Sequence, residues 1–257
     1  MIYRRLGHSG LEVSLIGLGT VKFGRNQEVR YPTAFDLPTD REVGQLLDRA
    51  RELGINLLDT APAYGDSEAR LGALLGARRN DWLICTKVGE TFEAGRSSWD
   101  FSPEATFASV SRSLRRLNTD RLDIVLIHSD GADRKILEEL GTLDALNELK
   151  GQGLIRATGI SHKSVDGARC AIERGCDVIM ATLNLEETEQ VPVIGEAASA
   201  GCGVLVKKAL ASGHAGTDSL RFAAGCRGVS SVIVGTLSIE HLHANVRAIE
   251  PLHGEAD

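Results

Sequence analysis

Several features that would assign this chain of 257 residues to a common protein class are absent. No apolar run approaches the roughly 18 residues of a membrane-spanning helix, and the N-terminal MIYRRLGHSG turns polar too early for a secretory signal. No basic block or arginine-rich face occurs, and the net charge is −6, so nucleic acid is not an expected partner. These absences predict a soluble cytoplasmic protein.

Cysteine is present without the spacing that would give it a special role. No two cysteines form a CxxC pair and their number is odd, which excludes the usual disulfide frameworks and zinc sites. We therefore expect no metal centre, and we expect free thiols that the cytosol keeps reduced. The cysteines are Cys85, Cys170, Cys176, Cys202 and Cys226.

Aromatic residues make up only 4% of the chain, and most of them lie in two long connections, 21–37 and 88–101. Aromatics gathered in loops over one face predict the lining of a substrate pocket, although packing onto neighbouring helices is the alternative. The residues concerned are Phe23, Tyr31, Phe35, Phe92, Trp99 and Phe101.

The chain does contain a regular alternation of short apolar runs and stretches with helical periodicity. Eight such strand–helix units predict an α/β fold, a (β/α)8 TIM barrel, as a single domain over residues 1–257. An open doubly wound sheet is the alternative. The opening IYRRLGHSGLEVS predicts a β-hairpin before the barrel. The predicted strands are Leu15–Thr20, Ile55–Asp59, Trp82–Lys87, Leu122–His128, Leu154–Ile160, Asp177–Thr182, Val204–Val206 and Val229–Gly235.

Four polar residues lie at or just after the carboxyl ends of these strands: Asp59, Tyr64, Lys87 and His128. In a parallel barrel these ends meet on one face, so the four side chains are expected to share a pocket. A lysine ammonium held by a carboxylate lowers the pKa of a nearby tyrosine, and a histidine can bind a substrate carbonyl. This combination can protonate a carbonyl oxygen while a hydride reaches the carbon. A nicotinamide cofactor is implied, because no side chain supplies a hydride.

Each of these residues has a plain structural explanation when taken alone. A single histidine such as His128 is more often a hydrogen-bonded core residue, and Lys87 with Asp59 could be a structural ion pair. Their occurrence together at successive strand ends is what favours catalysis.

The motif DTAPAYG, followed by a strand-end lysine and later a strand-end histidine, resembles the aldo-keto reductase family. LIGLGT after the hairpin and the closing SSVIVGTLSIEHLHANV are similar to the start and finish of that family's barrel, so the resemblance covers nearly the whole chain. It implies Tyr64 as the general acid/base, tuned by Lys87 and Asp59, with His128 orienting a carbonyl or sugar substrate. It also implies NADPH or NADH bound across the active face without a GxGxxG motif.

The resemblance further implies a set of cofactor-binding residues, several of which depart from the family's pattern. His162 replaces an asparagine and Met180 a glutamine that usually hold the carboxamide, and Lys207 replaces an aromatic residue that stacks on nicotinamide. Lys207 and Lys208 could instead reach the pyrophosphate. The implied cofactor-binding residues are Gly19, Thr20, Ser161, His162, Asn184, Lys207, Lys208, Leu210, Gly235, Thr236, Ser238, His241 and Asn245.

Cofactor preference depends on cations at the ribose 2′-phosphate. Alignment on Asn245 puts Gly235 and His241 at the positions where phosphate-preferring relatives carry lysine and arginine, which predicts weak discrimination. Two other functions stay open: a nucleotide-sensing, reductase-like regulatory protein with weak turnover, and a lyase with a Schiff-base lysine. We expect a monomer or weak oligomer.

Overall fold

The computed structural model describes residues 1–29 and 31–254. Eight parallel strands close into a barrel in which each strand pairs with the next one along the chain and the last pairs with the first. This confirms the predicted barrel, and the strand bounds differ from the predicted ones by only a few residues. The strands are β3 (Ile16–Gly19), β4 (Leu57–Asp59), β5 (Leu83–Val88), β8 (Leu122–His128), β9 (Ile155–Ser161), β10 (Val178–Thr182), β11 (Gly203–Lys207) and β12 (Ser231–Val234).

Helices fill the connections between these strands and pack around the barrel. Two short helices, Val21–Gly24 and Asp133–Glu138, are additions to the regular alternation of strand and helix. The helices are α1 (Val21–Gly24), α2 (Asp40–Glu52), α3 (Ser67–Leu75), α4 (Pro103–Arg116), α5 (Asp133–Glu138), α6 (Thr142–Gly151), α7 (Val165–Glu173), α8 (Val191–Ser199), α9 (Thr217–Gly225) and α10 (Ile239–Ile249). Shorter 3₁₀ turns occupy Gly76–Asp81, Ala211–Gly213 and Glu250–Gly254.

Local sequence signals explain where several helices begin. Thr39 and Glu42 form a reciprocal capping box at the start of α2, which satisfies two otherwise free backbone N–H groups. Ser102 caps α4 by accepting a hydrogen bond from the Ala105 N–H, and it is followed by Pro103 in the first turn, where a missing N–H costs nothing. None of the helices in the described ranges is long and apolar enough to cross a membrane.

The predicted N-terminal hairpin is present as β1 (Tyr3–Arg5) and β2 (Glu12–Ser14). Its connecting residues pack against the amino end of β11, where a side chain on Gly7 would collide with the backbone of Gly201. Leu6 and Val13 of this hairpin join the apolar residues that fill the barrel interior, such as Leu57 and Leu126. The hairpin therefore closes the amino end of the barrel and leaves the carboxyl end for a site.

The connection after β5 is itself a hairpin, β6 (Glu90–Glu93) and β7 (Arg96–Trp99), which sequence analysis described only as a long loop. The prediction that aromatics of the two long connections line the pocket is wrong for all except Tyr31. Phe23 and Phe101 are buried in the core between barrel and helices, and Phe101 packs over Gly89, which offers no side chain to resist it. Burial of the ring against the barrel explains the positions of Phe23 and Phe101, whereas Trp99 is exposed.

Candidate active site

A cavity of about 940 Å³ opens at the carboxyl end of the barrel. Asp59, Tyr64 and His128 line it, and Lys87 lies directly beneath them, 1% exposed. The four residues that sequence analysis placed at successive strand ends are thus brought together, because β4, β5 and β8 are neighbours in the barrel.

Lys87 is held in place by two short contacts. Its Nζ donates to Asp59 Oδ1 at 2.7 Å and to the carbonyl of Thr60 at 2.9 Å. Burial is the largest single influence and would lower the pKa of this ammonium, but the charge and hydrogen bond of Asp59, together with Tyr64 and Cys85, outweigh it and raise the pKa. Lys87 therefore carries a permanent positive charge at the floor of the cavity.

Tyr64 lies in the turn between β4 and α3, close above this ammonium. The Lys87 Nζ is 4.8 Å from the centroid of the Tyr64 ring. The turn packs tightly on the end of α1, because a side chain on Gly65, which has a φ of +59°, would meet the carbonyl oxygen of Gly24 at 2.1 Å. Only glycine fits both the positive φ and this close approach.

The pKa of Tyr64 does not follow the predicted direction. Lys87 does favour the phenolate, as expected, but burial disfavours it more strongly and raises the pKa to about 12. Tyr64 is therefore a protonated hydrogen-bond donor throughout the neutral pH range.

His128 has a partner that sequence analysis missed. Glu90, at the start of the β6–β7 hairpin, places Oε2 2.7 Å from His128 Nδ1. The contact is short, although the carboxylate oxygen lies off the line of the ring N–H bond. The His128 and Tyr64 rings meet edge to face with centroids 6.3 Å apart. The only sequence signal for Glu90 was its position three residues after Lys87, and the hairpin that turns it inward was not predicted.

Glu90 is itself held on its other oxygen. Ser97 Oγ donates to Glu90 Oε1 at 2.6 Å, and an Arg25 guanidinium nitrogen lies 3.6 Å from the same atom. Burial opposes ionisation, yet the contacts with His128, Ser97 and Arg25 together lower the pKa of Glu90 to about 2. The carboxylate is therefore ionised at any pH at which the protein would work.

Most of the residues implied as cofactor-binding line the same cavity: Gly19, Thr20, Ser161, His162, Lys207, Lys208, Leu210, Gly235, Thr236, His241 and Asn245. Asn184 and Ser238 do not. The amide of Asn184 is used within its own loop, where it bonds Glu187 and the Lys208 carbonyl. The Ser238 hydroxyl caps α10 by accepting from the His241 N–H.

Lys207 and His162 differ from the rest in how their polar atoms are satisfied. Lys207 Nζ donates to Ser161 Oγ and to the His162 carbonyl, both at 2.8 Å. Burial and then the neighbouring Lys208 lower the Lys207 pKa to about 7. His162 is 1% exposed, and neither of its ring nitrogens has a hydrogen-bond partner in the described structure. Burial, reinforced by Lys207, lowers the His162 pKa to about 4, so the ring is neutral.

Tyr31 is a further cavity residue whose surroundings sequence analysis did not foresee. The ammonium of Lys22 lies 4.0 Å from the centroid of its ring, and Phe35 packs against it edge to face. A Cβ on Gly235 would come within 3.3 Å of the Tyr31 hydroxyl. The first long connection thus reaches across the cavity toward the end of β12.

Comparison with known proteins decides the family to which this site belongs. The model of the Aldo/keto reductase family matches residues 15–217, which contain all four catalytic candidates. The chain belongs to the aldo/keto reductase family. The predicted resemblance to this family is therefore confirmed. So is the expectation that the protein is an oxidoreductase.

Solved and curated aldo/keto reductases agree with this assignment. A crystal structure from Pseudomonas aeruginosa, assigned to the aldo-keto reductases, is 49% identical, has a TM-score of 0.89, and aligns over 96% of this chain and 93% of its own. L-galactose dehydrogenase of Arabidopsis thaliana is 31% identical over 97% of this chain and 88% of its own length. An uncharacterized oxidoreductase of Bacillus subtilis is 35% identical over 62% of this chain, which spans about half (48%) of that relative.

No group of three or more His, Cys, Asp and Glu side chains suited to a metal ion occurs within residues 1–29 and 31–254. The five cysteines are free thiols, four of them buried and Cys226 partly so.

Proposed function

We propose that this protein is an NAD(P)H-dependent oxidoreductase that reduces aldehydes or ketones, or oxidises the matching alcohols or sugars, with Tyr64 as the general acid/base. The observation that supports this most is the meeting of Tyr64 with the buried Lys87–Asp59 pair at the floor of one large cavity. A protonated phenol beside a fixed ammonium can donate its proton to a carbonyl oxygen, because the ammonium stabilises the phenolate that remains. The similarity to a sugar dehydrogenase supports the sugar side of this proposal.

The residues at the ends of β9 to β12 fit a nicotinamide dinucleotide. A neutral imidazole offers one donor and one acceptor, and His162, a residue of the cavity wall, has both ring nitrogens buried without a partner in the described structure. The primary carboxamide of nicotinamide has the complementary pair, so His162 can replace the asparagine usual in the family. When bound, the nicotinamide would carry the hydride that no side chain supplies.

The phosphate and ribose groups have candidate partners on the same side. Lys208 is exposed at the cavity, and Gly235 and Thr236 lead into the amino end of α10, where backbone N–H groups favour anions. Lys207 cannot replace an aromatic stacking platform, and its ammonium already bonds Ser161 and the His162 carbonyl. We propose Lys207 as a support for the carboxamide side rather than as a pyrophosphate ligand. Asn184 and Ser238 already bond other groups of the protein, so they contribute less to the proposed cofactor site.

A titration of NADPH and NADH, followed by a panel of aldehydes, ketones and sugars, tests the function. Tight cofactor binding with turnover on at least one substrate is expected. Binding without turnover would favour the nucleotide-sensing alternative, and trapping of a covalent adduct by borohydride would favour a Schiff-base lyase. The cytoplasmic location and the monomeric or weakly oligomeric state remain predictions.

A further inference from the structure

The ammonium of Lys207 is fixed in the part of the cavity where the proposed reaction would occur. From the end of β11 it reaches past β10 to the end of β9, where it donates to Ser161 Oγ and to the His162 carbonyl oxygen, both at 2.8 Å. Ser161 lies opposite His128 in the ladder between β9 and β8. Burial is the main cause of the lowered His128 pKa, and the charge of Lys207 adds to it. Lys207 therefore acts electrostatically on the residue whose ring meets that of Tyr64.

The charge of this ammonium is not neutralised by a bonded acid, since its two hydrogen-bond acceptors are a hydroxyl and a carbonyl oxygen. The strands on either side of Lys207 end in the uncharged residues Thr182 and Val234. The Asp133 carboxylate is used elsewhere, because it accepts hydrogen bonds from hydroxyl and backbone N–H groups of its own loop and of the loop after β9. The charged groups that act on the ammonium are Lys208, Lys87, Asp133 and Lys163.

The proposed reaction requires the nicotinamide ring in this part of the cavity. Hydride and proton go to the two ends of one carbonyl bond, so the ring has to approach the substrate close to the Tyr64 hydroxyl. Tyr64 and Lys207 line the same cavity. The ring of the oxidised cofactor carries a positive charge that the reduced ring lacks, whereas the phosphates of the two forms are identical. The oxidised and reduced forms therefore differ by one unit charge in the region where Lys207 holds its ammonium.

An aromatic ring and an ammonium respond to this charge in opposite ways. The face of an aromatic ring attracts a cation, so the platform that Lys207 replaces is compatible with the oxidised ring. An ammonium repels a second positive charge, and the repulsion is stronger in a cavity than in open water because the effective dielectric constant is lower. The replacement therefore disfavours one oxidation state of the cofactor and not the other.

We propose that Lys207 is a specificity-determining residue that makes the site prefer the reduced, uncharged nicotinamide ring to the oxidised, cationic ring, and that this preference directs the protein toward carbonyl reduction. The proposal rests on the function proposed above and adds a direction to it. In reduction the carbonyl carbon gains a hydride, the carbonyl oxygen gains the Tyr64 proton, and the positive charge that develops on the ring is repelled by Lys207. The overall equilibrium is unchanged, but alcohol oxidation then needs a higher concentration of oxidised cofactor.

The preference should also depend on pH. Burial first, and then Lys208 and Lys87, lower the pKa of Lys207 to about 7. The ammonium is therefore mostly charged at pH 6.5 and mostly a neutral amine at pH 8.5. The two nearby histidines, His128 and His162, have pKa values lowered mainly by burial, so the charge that changes over this interval is that of Lys207.

The first measurement is the ratio of the dissociation constants of NADP⁺ and NADPH, determined by calorimetric titration at pH 6.5 without substrate. Lys207→Met should lower this ratio by about threefold or more, because the repulsion of the oxidised ring is removed. Any affinity lost with the hydrogen bonds to Ser161 and His162 applies to both forms and cancels in the ratio. Lys208→Met is the matched control at the neighbouring, exposed lysine. It should weaken both forms alike, because their phosphates are the same.

The second measurement repeats the titrations at pH 8.5 and needs no variant to fold. The wild-type ratio should fall by about threefold or more between pH 6.5 and pH 8.5, whereas that of Lys207→Met should stay constant. A wild-type ratio that does not change with pH, or a ratio that Lys207→Met leaves as in wild type, overturns the inference. Failure of the wild type to bind either form at either pH overturns the proposed function instead.

Discussion

Two lysines at strand ends of the same barrel face the same cavity and have opposite electrostatic environments. Lys87 on β5 has a carboxylate partner at 2.7 Å, and its pKa is raised. Lys207 on β11 bonds only neutral oxygen atoms, and burial together with nearby Lys208 lowers its pKa to about 7. Burial acts on both ammonium groups, so the presence or absence of a carboxylate decides the difference.

The comparison extends to the residues around each lysine. On the Lys87 side, the ammonium bonds Asp59, and the Glu90 carboxylate lies 2.7 Å from His128 Nδ1, so each of these two basic side chains has an acidic neighbour. On the Lys207 side, His162 is buried with both ring nitrogens unpartnered in the described structure. Under the proposed function, the first region is preorganised for chemistry, and a bound nicotinamide supplies the missing partners of the second.

The largest expected effect lies on the preorganised side. Tyr64→Phe removes the hydroxyl and keeps the ring against His128, so turnover should fall by about 10²- to 10⁴-fold, the usual contribution of a positioned acid. Cofactor dissociation constants should stay within a factor of two or so of wild type. Steady-state kinetics with the best substrate check this, and near wild-type turnover in Tyr64→Phe would contradict the assignment of the acid.

The second effect concerns the free energy of unfolding and compares methionine substitutions of the two lysines. Lys87 has a raised folded-state pKa, so its contribution is fully present below the ordinary lysine pKa and is lost only at very high pH. Lys87→Met leaves Asp59 buried without a counter-charge and should cost about 3 to 5 kcal/mol. Urea unfolding at pH 6 and pH 9 should show this loss at both values.

Lys207→Met should behave in the opposite way. Lys207 has a folded-state pKa of about 7, below its ordinary value. Below pH 7 the buried ammonium is charged, and it destabilises the folded state most there. As the pH rises toward the ordinary lysine pKa, the folded protein binds fewer protons than the unfolded chain, so this destabilisation decreases. The variant should be more stable than wild type at pH 6 by about 1 to 3 kcal/mol, after allowance for two lost hydrogen bonds. Equal losses of stability in both methionine variants would show that the two sites are not electrostatically different.

A smaller effect is expected where the structure leaves polar atoms without partners. His162→Phe removes a donor and an acceptor that have no protein partner, so the free energy of unfolding should be unchanged or higher. Affinity for the nicotinamide cofactor should fall by about tenfold, because the carboxamide loses its partner. Calorimetric titration and urea unfolding measure the two quantities, with exposed His214→Phe as control. Lower stability without lower affinity would give His162 a purely structural role.

The smallest effect concerns the choice between the two cofactors. His241 is exposed at the cavity and Gly235 has no side chain, so NADPH should be favoured by no more than about tenfold, or 1.4 kcal/mol. His241→Ala should remove most of that small preference. Dissociation constants of the wild type and the variant for both cofactors decide it. A hundredfold preference that His241→Ala leaves unchanged would assign the 2′-phosphate to another cation such as Lys208.

The sequence by itself was enough to predict the barrel, its N-terminal hairpin and the proximity of four side chains: Asp59, Tyr64, Lys87 and His128. Apolar periodicity determines the order of strands and helices, and a closed parallel barrel brings consecutive strand ends together without further information. The caps at Thr39 and Ser102 are likewise local features, because capping involves residues only three apart.

Only the tertiary structure decided the electrostatic character of the site. Glu90 reaches His128 because the segment after β5 folds back as a hairpin, and Phe101 turns into the core because Gly89 leaves room for it. The pKa values of Tyr64 and Lys207 depend on burial and on the distance to charges from other strands. Residue identity and spacing specify which groups meet, whereas desolvation and charge at close range, which determine their protonation, exist only once the chain has folded.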